Sequence, residues 1–223
     1  MTRTIVCFGD SNTHGANPSG HGKDAAGPKR LPRSVRWPRV MEAALGDGYD
    51  VIEEGLNGRC TIWDSEIEPG RNGLDYLLPC LLSHAPVDLV TIMLGTNDLK
   101  SVYANTAADI ACGAARLVDV ARGSLAGPNG SPPEVLLVSP VPLGEITARS
   151  EMWGFGDALA TSRELARMYA IVAEDHGASF FDAGSVAAVH PDDGVHLDAA
   201  ACARLGAAMA DAVRAALSND GRG

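Results

Sequence analysis

Short apolar runs of strand length recur through the chain at residues 4–8, 50–53, 87–94, 134–139 and 178–181, and longer stretches with helical spacing separate them. That alternation predicts an α/β chain in which helices cover a central parallel sheet of about five strands. The run DLVTIML at 88–94 is nearly continuous in apolar residues, as a central strand buried on both faces requires. Two helices are legible in detail. Thr106 followed by Asp109 predicts a capping box, after which Ile110, Ala114, Leu117 and Ala121 share one face up to a left-handed cap at Gly123. Asp198 predicts a cap for a last helix with the stripe Cys202, Leu205, Met209, Val213 and Leu217.

Interruptions rich in Gly, Pro and polar residues, around 16–36, 63–73, 124–133 and 143–156, are short enough to be surface loops. With 223 residues, 46% of them hydrophobic, and no internal repeat, residues 1–223 are expected to form a single domain. The net charge of −10 argues against nucleic-acid or anionic-membrane partners. A basic cluster of Lys23, Lys29, Arg30, Arg33, Arg36 and Arg39 departs from that balance and is expected to be a solvated face, the alternative being a rim for acidic substrates or a partner subunit. Five cysteines, Cys7, Cys60, Cys80, Cys112 and Cys202, show no C-x-x-C pair, so neither a disulfide framework nor a zinc framework is expected. No basic leader precedes the first strand and no apolar run is long enough to span a bilayer, so a soluble protein in the reducing cytoplasm is expected.

In an open parallel sheet, ligands gather beyond the carboxyl ends of the strands. The segments there are FGDSNTHG (8–15), EGLNGRCT (54–61), GTNDLK (95–100), PVPL (140–143) and DDGVHLD (192–198). A serine directly after a strand can expose its hydroxyl at a sharp turn; taken alone Ser11 reads more readily as a cap or turn residue, and it becomes the candidate nucleophile through the groups that accompany it. A general base must be a histidine held in one tautomer by an acceptor, and Asp193-Gly-Val-His196 supplies both, with Asp192 as the competing acceptor. The amide of Ser11, the amide of Gly58 and the side-chain amide of Asn97 are candidate oxyanion donors, each such donor typically contributing about 2.7–4 kcal/mol. Taken singly, Gly58 reads as a turn glycine and Asn97 as a loop or cap residue. His14 lies near Ser11 and is a candidate substrate contact, a turn-stabilising or rim role being the alternative, whereas His21, His84, His176 and His190 read as surface or helix-end residues. None has metal-ligand spacing, and neither a metal nor a cofactor is expected. Ile62, Trp63, Trp153 and Phe155 fall in loops near the expected mouth and are candidates for an apolar wall there, loop packing or a subunit interface being the alternative.

At these residues the chain resembles the SGNH (GDSL) hydrolase superfamily, through Ser11 in FGDSNTHG, Gly58 in GLNGRCT, Asn97 in GTND and His196 in DGVH, in the family's order. VIEEGLNGR, DLVTIMLGTNDLK and FFDAGSV make it similar to the bacterial arylesterase/acyltransferase group over nearly the whole chain. The resemblance implies a flavodoxin-like three-layer α/β/α sandwich, a Ser11, His196, Asp193 triad and an oxyanion hole from Ser11, Gly58 and Asn97. It also implies a serine esterase for short-chain and aryl esters, acyl transfer to alcohols or hydrogen peroxide, and a homo-oligomer. Asn12 stands where the nominal G-D-S-L has leucine, and Ala16 where relatives can carry a bulky residue, which implies a roomier acyl pocket. A carbohydrate or metabolite O-deacetylase or an acyl thioesterase would use the same triad; a noncatalytic binding module is the alternative of a different class.

Overall fold

The computed structural model describes residues 2–20 and 27–218; His21 and Lys23 lie outside the described residues. Five parallel strands, β1 (Arg3–Gly9), β2 (Tyr49–Gly55), β3 (Leu89–Met93), β4 (Glu134–Ser139) and β5 (Ser179–Asp182), form one sheet in the order β2-β1-β3-β4-β5. The helices are α1 (Ser11–His14), α2 (Trp37–Leu45), α3 (Gly73–Ser83), α4 (Ala107–Gly123), α5 (Ala148–Met152), α6 (Leu159–His176) and α7 (Ala199–Ser218).

The strand period of two sorts the core into two layers. Val6, Phe8, Val90, Ile92, Val135 and Leu137 pack with α3, α4 and α6 on one face. Ile5, Cys7, Leu89, Met93, Leu136 and Val138 pack with α2 and α7 on the other. Every residue of β3 is buried, which accounts for its unbroken apolar run. This is the expected three-layer arrangement. The strand order reverses between β1 and β3, the place in an open parallel sheet where ligands bind beyond the carboxyl ends of the strands, and Ser11 and Asn97 follow those ends.

Both expected caps form. Thr106 and Asp109 bond reciprocally at the start of α4, and the Asp198 carboxylate accepts the Ala201 amide at 2.7 Å at the start of α7. The far end of α4 differs from expectation. Gly123 stays helical, and Ser124 follows in the right-handed region at φ −74° because its hydroxyl donates to the Ala121 carbonyl at 2.7 Å and closes the helix without a glycine cap. The segment 143–156, read as a loop, contains α5, started by a reciprocal pair between Thr147 and Ser150. The basic cluster also differs in part: Arg36 and Arg39 face Glu53 on the edge strand β2 at 3.4 and 3.0 Å, and Arg39 also pairs with Glu42 at 2.8 Å, so these two are consumed inside the fold. Lys29 and Arg33 remain exposed. None of the described helices is long and apolar enough to cross a membrane.

Candidate active site

Ser11 begins the four-residue helix α1 immediately beyond β1. Asp10 caps that helix by accepting the Asn12 amide at 2.9 Å, which holds the turn so that the serine hydroxyl points out of the strand end. The Ser11 hydroxyl lies 3.0 Å from His196 Nε2, and His196 Nδ1 lies 2.7 Å from Asp193 Oδ2. The second carboxylate oxygen of Asp193 accepts the amides of Val195 and His196, each at 2.9 Å. Gly194 makes that tight return possible. Its φ is +67°, and the Glu145 carbonyl occupies the place a Cβ would take.

Asp193 is buried, which alone would push its carboxyl up. The hydrogen bond to His196, the histidine's charge and the two amides outweigh burial and hold it below the usual aspartate range. An ionised acceptor at Nδ1 fixes the tautomer that leaves Nε2 able to take a proton from the serine. Asp192, the competing acceptor, is exposed; it accepts the Ser19 hydroxyl at 2.5 Å and lies 3.4 Å from His190.

The three candidate oxyanion donors stand beyond the ends of β1, β2 and β3. Gly58 has φ +78°, and the side chains of Glu68 and Arg71 fill the space where its own side chain would project. Asn97 is buried and donates one amide hydrogen to the Arg59 carbonyl at 3.1 Å, which ties it to the loop that carries Gly58. A primary amide has a second hydrogen to offer. Arranged around an ester carbonyl, such groups can hold a developing oxyanion while the serine attacks.

Residues 7–204 match the GDSL-like Lipase/Acylhydrolase family. The chain belongs to that family. Among solved structures it is similar to the inhibitor-bound aryl esterase of M. smegmatis, at 40% identity and TM-score 0.89, with 96% of this chain and 100% of the other covered. It is also similar to a carbohydrate acetylesterase from Sinorhizobium meliloti, at 41% identity and TM-score 0.88, covering 96% and 99%. A lipolytic G-D-S-L protein from Veillonella parvula, at 18% identity and TM-score 0.63 over 95% and 98%, shares the fold. No curated protein matches the chain.

In this GDSL-family chain, two buried residues at the site escaped the sequence reading. Arg59 is 3% exposed, donates to the Gly9 and Glu54 carbonyls, and stacks its guanidinium 4.3 Å from the Phe8 ring centroid. It clamps the ends of β1 and β2 together while its own carbonyl holds Asn97. Asp98 accepts the Thr61 amide at 3.0 and 3.2 Å and the Thr61 hydroxyl as well; burial pushes its carboxyl up to about 6 against those bonds. The sequence signal for both was present in GLNGRCT and GTND, but nothing in spacing distinguishes a buried charge from an exposed one.

Of the four wall residues, Trp153 reaches the site, edge-on to His196 with ring centroids 5.6 Å apart. Phe155 does not: it is 2% exposed and belongs to the core layer under α4 and α6. Its loop turns inward after α5, so its apolar ring follows the core. Ile62 and Trp63 are half-buried, and Ile62 lies against α4 at Gly113. His14 is half-buried, and burial, then the Arg30 charge, lowers its pKa. His84 pairs with Glu54 at 2.8 Å and His176 with Asp119 at 2.7 Å. Although His84 showed no ligand spacing with another histidine, the fold brings one donor atom each of Glu54, Cys80 and His84 within 4.8 Å of one another.

Proposed function

We propose that residues 1–223 act as one catalytic domain, a serine esterase that cleaves short-chain and aryl carboxylic esters through an acyl-enzyme. The observation that carries this reading is the continuous hydrogen-bonded chain Asp193–His196–Ser11, at 2.7 and 3.0 Å, standing at the strand-order reversal of a GDSL-family fold. In the first step His196 takes the Ser11 proton as the oxygen attacks the ester carbonyl. The amides of Ser11 and Gly58 and the Asn97 side chain hold the tetrahedral oxyanion, and His196 then protonates the departing alcohol. In the second step His196 activates water, which attacks the acyl-enzyme and restores Ser11. No cofactor or metal enters this cycle. An alcohol or hydrogen peroxide in place of water gives acyl transfer, and the Trp153 ring beside the base favours an organic acceptor over water. We further assign the protein to the cytoplasm and to a homo-oligomeric assembly.

The similarity to a carbohydrate acetylesterase supports a second substrate class, acetylated sugars, for the same residues. Hydrolysis of p-nitrophenyl acetate, phenyl acetate, an acetylated sugar and an acyl thioester by wild type and Ser11→Ala, with and without an added alcohol, separates these readings. Ser11-dependent release of acetate from phenyl esters, with new ester formed in the presence of alcohol, is the expected result. Preference for the sugar or the thioester would move the substrate assignment. Turnover of none of them, with no labelling of Ser11 by a fluorophosphonate, would leave the binding-module reading.

A further inference from the structure

We infer that Asn12 is a positioning residue for the general base, an inference that rests on the serine-esterase reading of the site. Asn12 is 4% exposed and follows Ser11 directly in the chain. Its side chain reaches across 183 residues of sequence to donate to the Val195 carbonyl at 3.2 Å, and its Oδ1 accepts the Leu197 amide at 3.0 Å. The two bonds fall on the residues immediately before and after His196. The same short helix that presents the nucleophile therefore grips the backbone on both sides of the base.

The chemistry of this latch selects a carboxamide. One end must donate and the other must accept, which asparagine does in a single planar group. Leucine, the residue of the nominal G-D-S-L, does neither and leaves a buried carbonyl and a buried amide without partners, since Val195 and Leu197 are 2% and 1% exposed. An ionised aspartate keeps the bond from the Leu197 amide and turns its second oxygen against the Val195 carbonyl. Asp193 fixes the ring's rotation and tautomer through Nδ1, whereas Asn12 fixes where the backbone that carries the ring stands relative to Ser11. The 3.0 Å contact between Nε2 and the Ser11 hydroxyl depends on both.

The test compares wild type, Asn12→Leu and Asn12→Asp, with Leu117→Ala as a control that weakens the core layer behind β3 without touching the site. kcat and KM for p-nitrophenyl acetate are measured together with the rate of Ser11 labelling by a fluorophosphonate, all well below the unfolding temperature. A displaced base is expected to lower kcat and the labelling rate in parallel, by up to ~100-fold in Asn12→Leu, with KM little changed and the control labelled at the wild-type rate. Asn12→Asp, nearly isosteric, keeps the test open if the leucine variant does not fold, and is expected to fall between the two. Wild-type kcat and labelling in a folded Asn12 variant overturn the inference, as does an equal loss in Leu117→Ala, because stability alone would then explain it. Failure of the wild type itself to label or to cleave any ester is a different result and overturns the serine-esterase reading beneath it.

Discussion

Trp153 stands edge-on to the imidazole of His196, with ring centroids 5.6 Å apart and planes at 70°. The indole thus covers one side of the imidazole proposed as the general base, and it comes from the turn that ends α5 rather than from any strand-end motif. An aromatic pair of this geometry contributes about 0.5–1.5 kcal/mol beyond its buried area. Trp153→Ser opens that side to water. The ratio of new ester to free acid formed from p-nitrophenyl acetate in the presence of an alcohol is expected to fall roughly two- to tenfold. An unchanged ratio would remove Trp153 from acceptor selection.

The Asp193–His196 pair gives a prediction on rate and another on stability. Replacing Asp193 by Asn substitutes a neutral amide for the ionised acceptor at Nδ1, so the wrong tautomer is favoured and kcat is expected to drop about 10⁴-fold while the fold persists. Because the Asp193 pKa is held below the ordinary aspartate value of 3.8, its ionised form stabilises the folded state above that pH, and the contribution is lost as pH falls through the lowered value. In urea titrations the advantage of wild type over Asp193→Asn should accordingly be full at pH 5 and above and should shrink below about pH 4.

Asp98 has the opposite sign. Burial raises it from 3.8 to about 6, so the folded state holds the proton more tightly than the unfolded chain. Its contribution is greatest below pH 3.8 and is lost as pH rises through about 6. Asp98→Asn keeps an acceptor for Thr61 without the ionisation. The stability of wild type relative to Asp98→Asn should decline between pH 4 and pH 7 by on the order of 3 kcal/mol. A difference that stays constant over that range would show that Asp98 does not titrate there.

Leu117 lies on the buried face of α4 against the sheet and is fully buried. Truncation to Ala leaves a cavity in the core layer and should cost about 2–5 kcal/mol of unfolding free energy, read from chemical denaturation. The esterase rate at low temperature is expected to survive, because Leu117 belongs to the core layer of α3, α4 and α6 and not to the hydrogen-bonded groups around Ser11. A selective loss of rate would mean that the core layer behind β3 sets the site's geometry more directly than its contacts indicate.

Much of this was legible in the order of the residues. Short apolar runs of strand length located five strands because strands covered by helices on both sides turn apolar side chains to two layers, and the unbroken run of β3 announced burial on both faces. Thr106 with Asp109, and Asp198, announced helix starts because capping bonds are local and span three residues. Ser11, Gly58, Asn97 and His196 were legible as the residues that follow strand ends in a chain that must bind its ligand there.

Local order thus decided the strands, the starts of α4 and α7, the return at Gly194 and which segments lie beyond the sheet, whereas the closure of α4 at Ser124 and the short helix α5 went unread although their bonds span only three residues. The choice between Asp193 and Asp192 fell to the tertiary structure: both sit within four residues of His196, but Asp193 is buried against the imidazole at 2.7 Å, whereas Asp192 is exposed and bonded to the Ser19 hydroxyl. The tertiary structure alone sent Phe155 into the core and Trp153 to the base, and buried Arg59 where it joins β1 to β2. The latch from Asn12 to either side of His196 spans 183 and 185 residues of chain. Hydrogen bonds of that reach are set by where packed layers bring distant backbones together, and no local pattern encodes them.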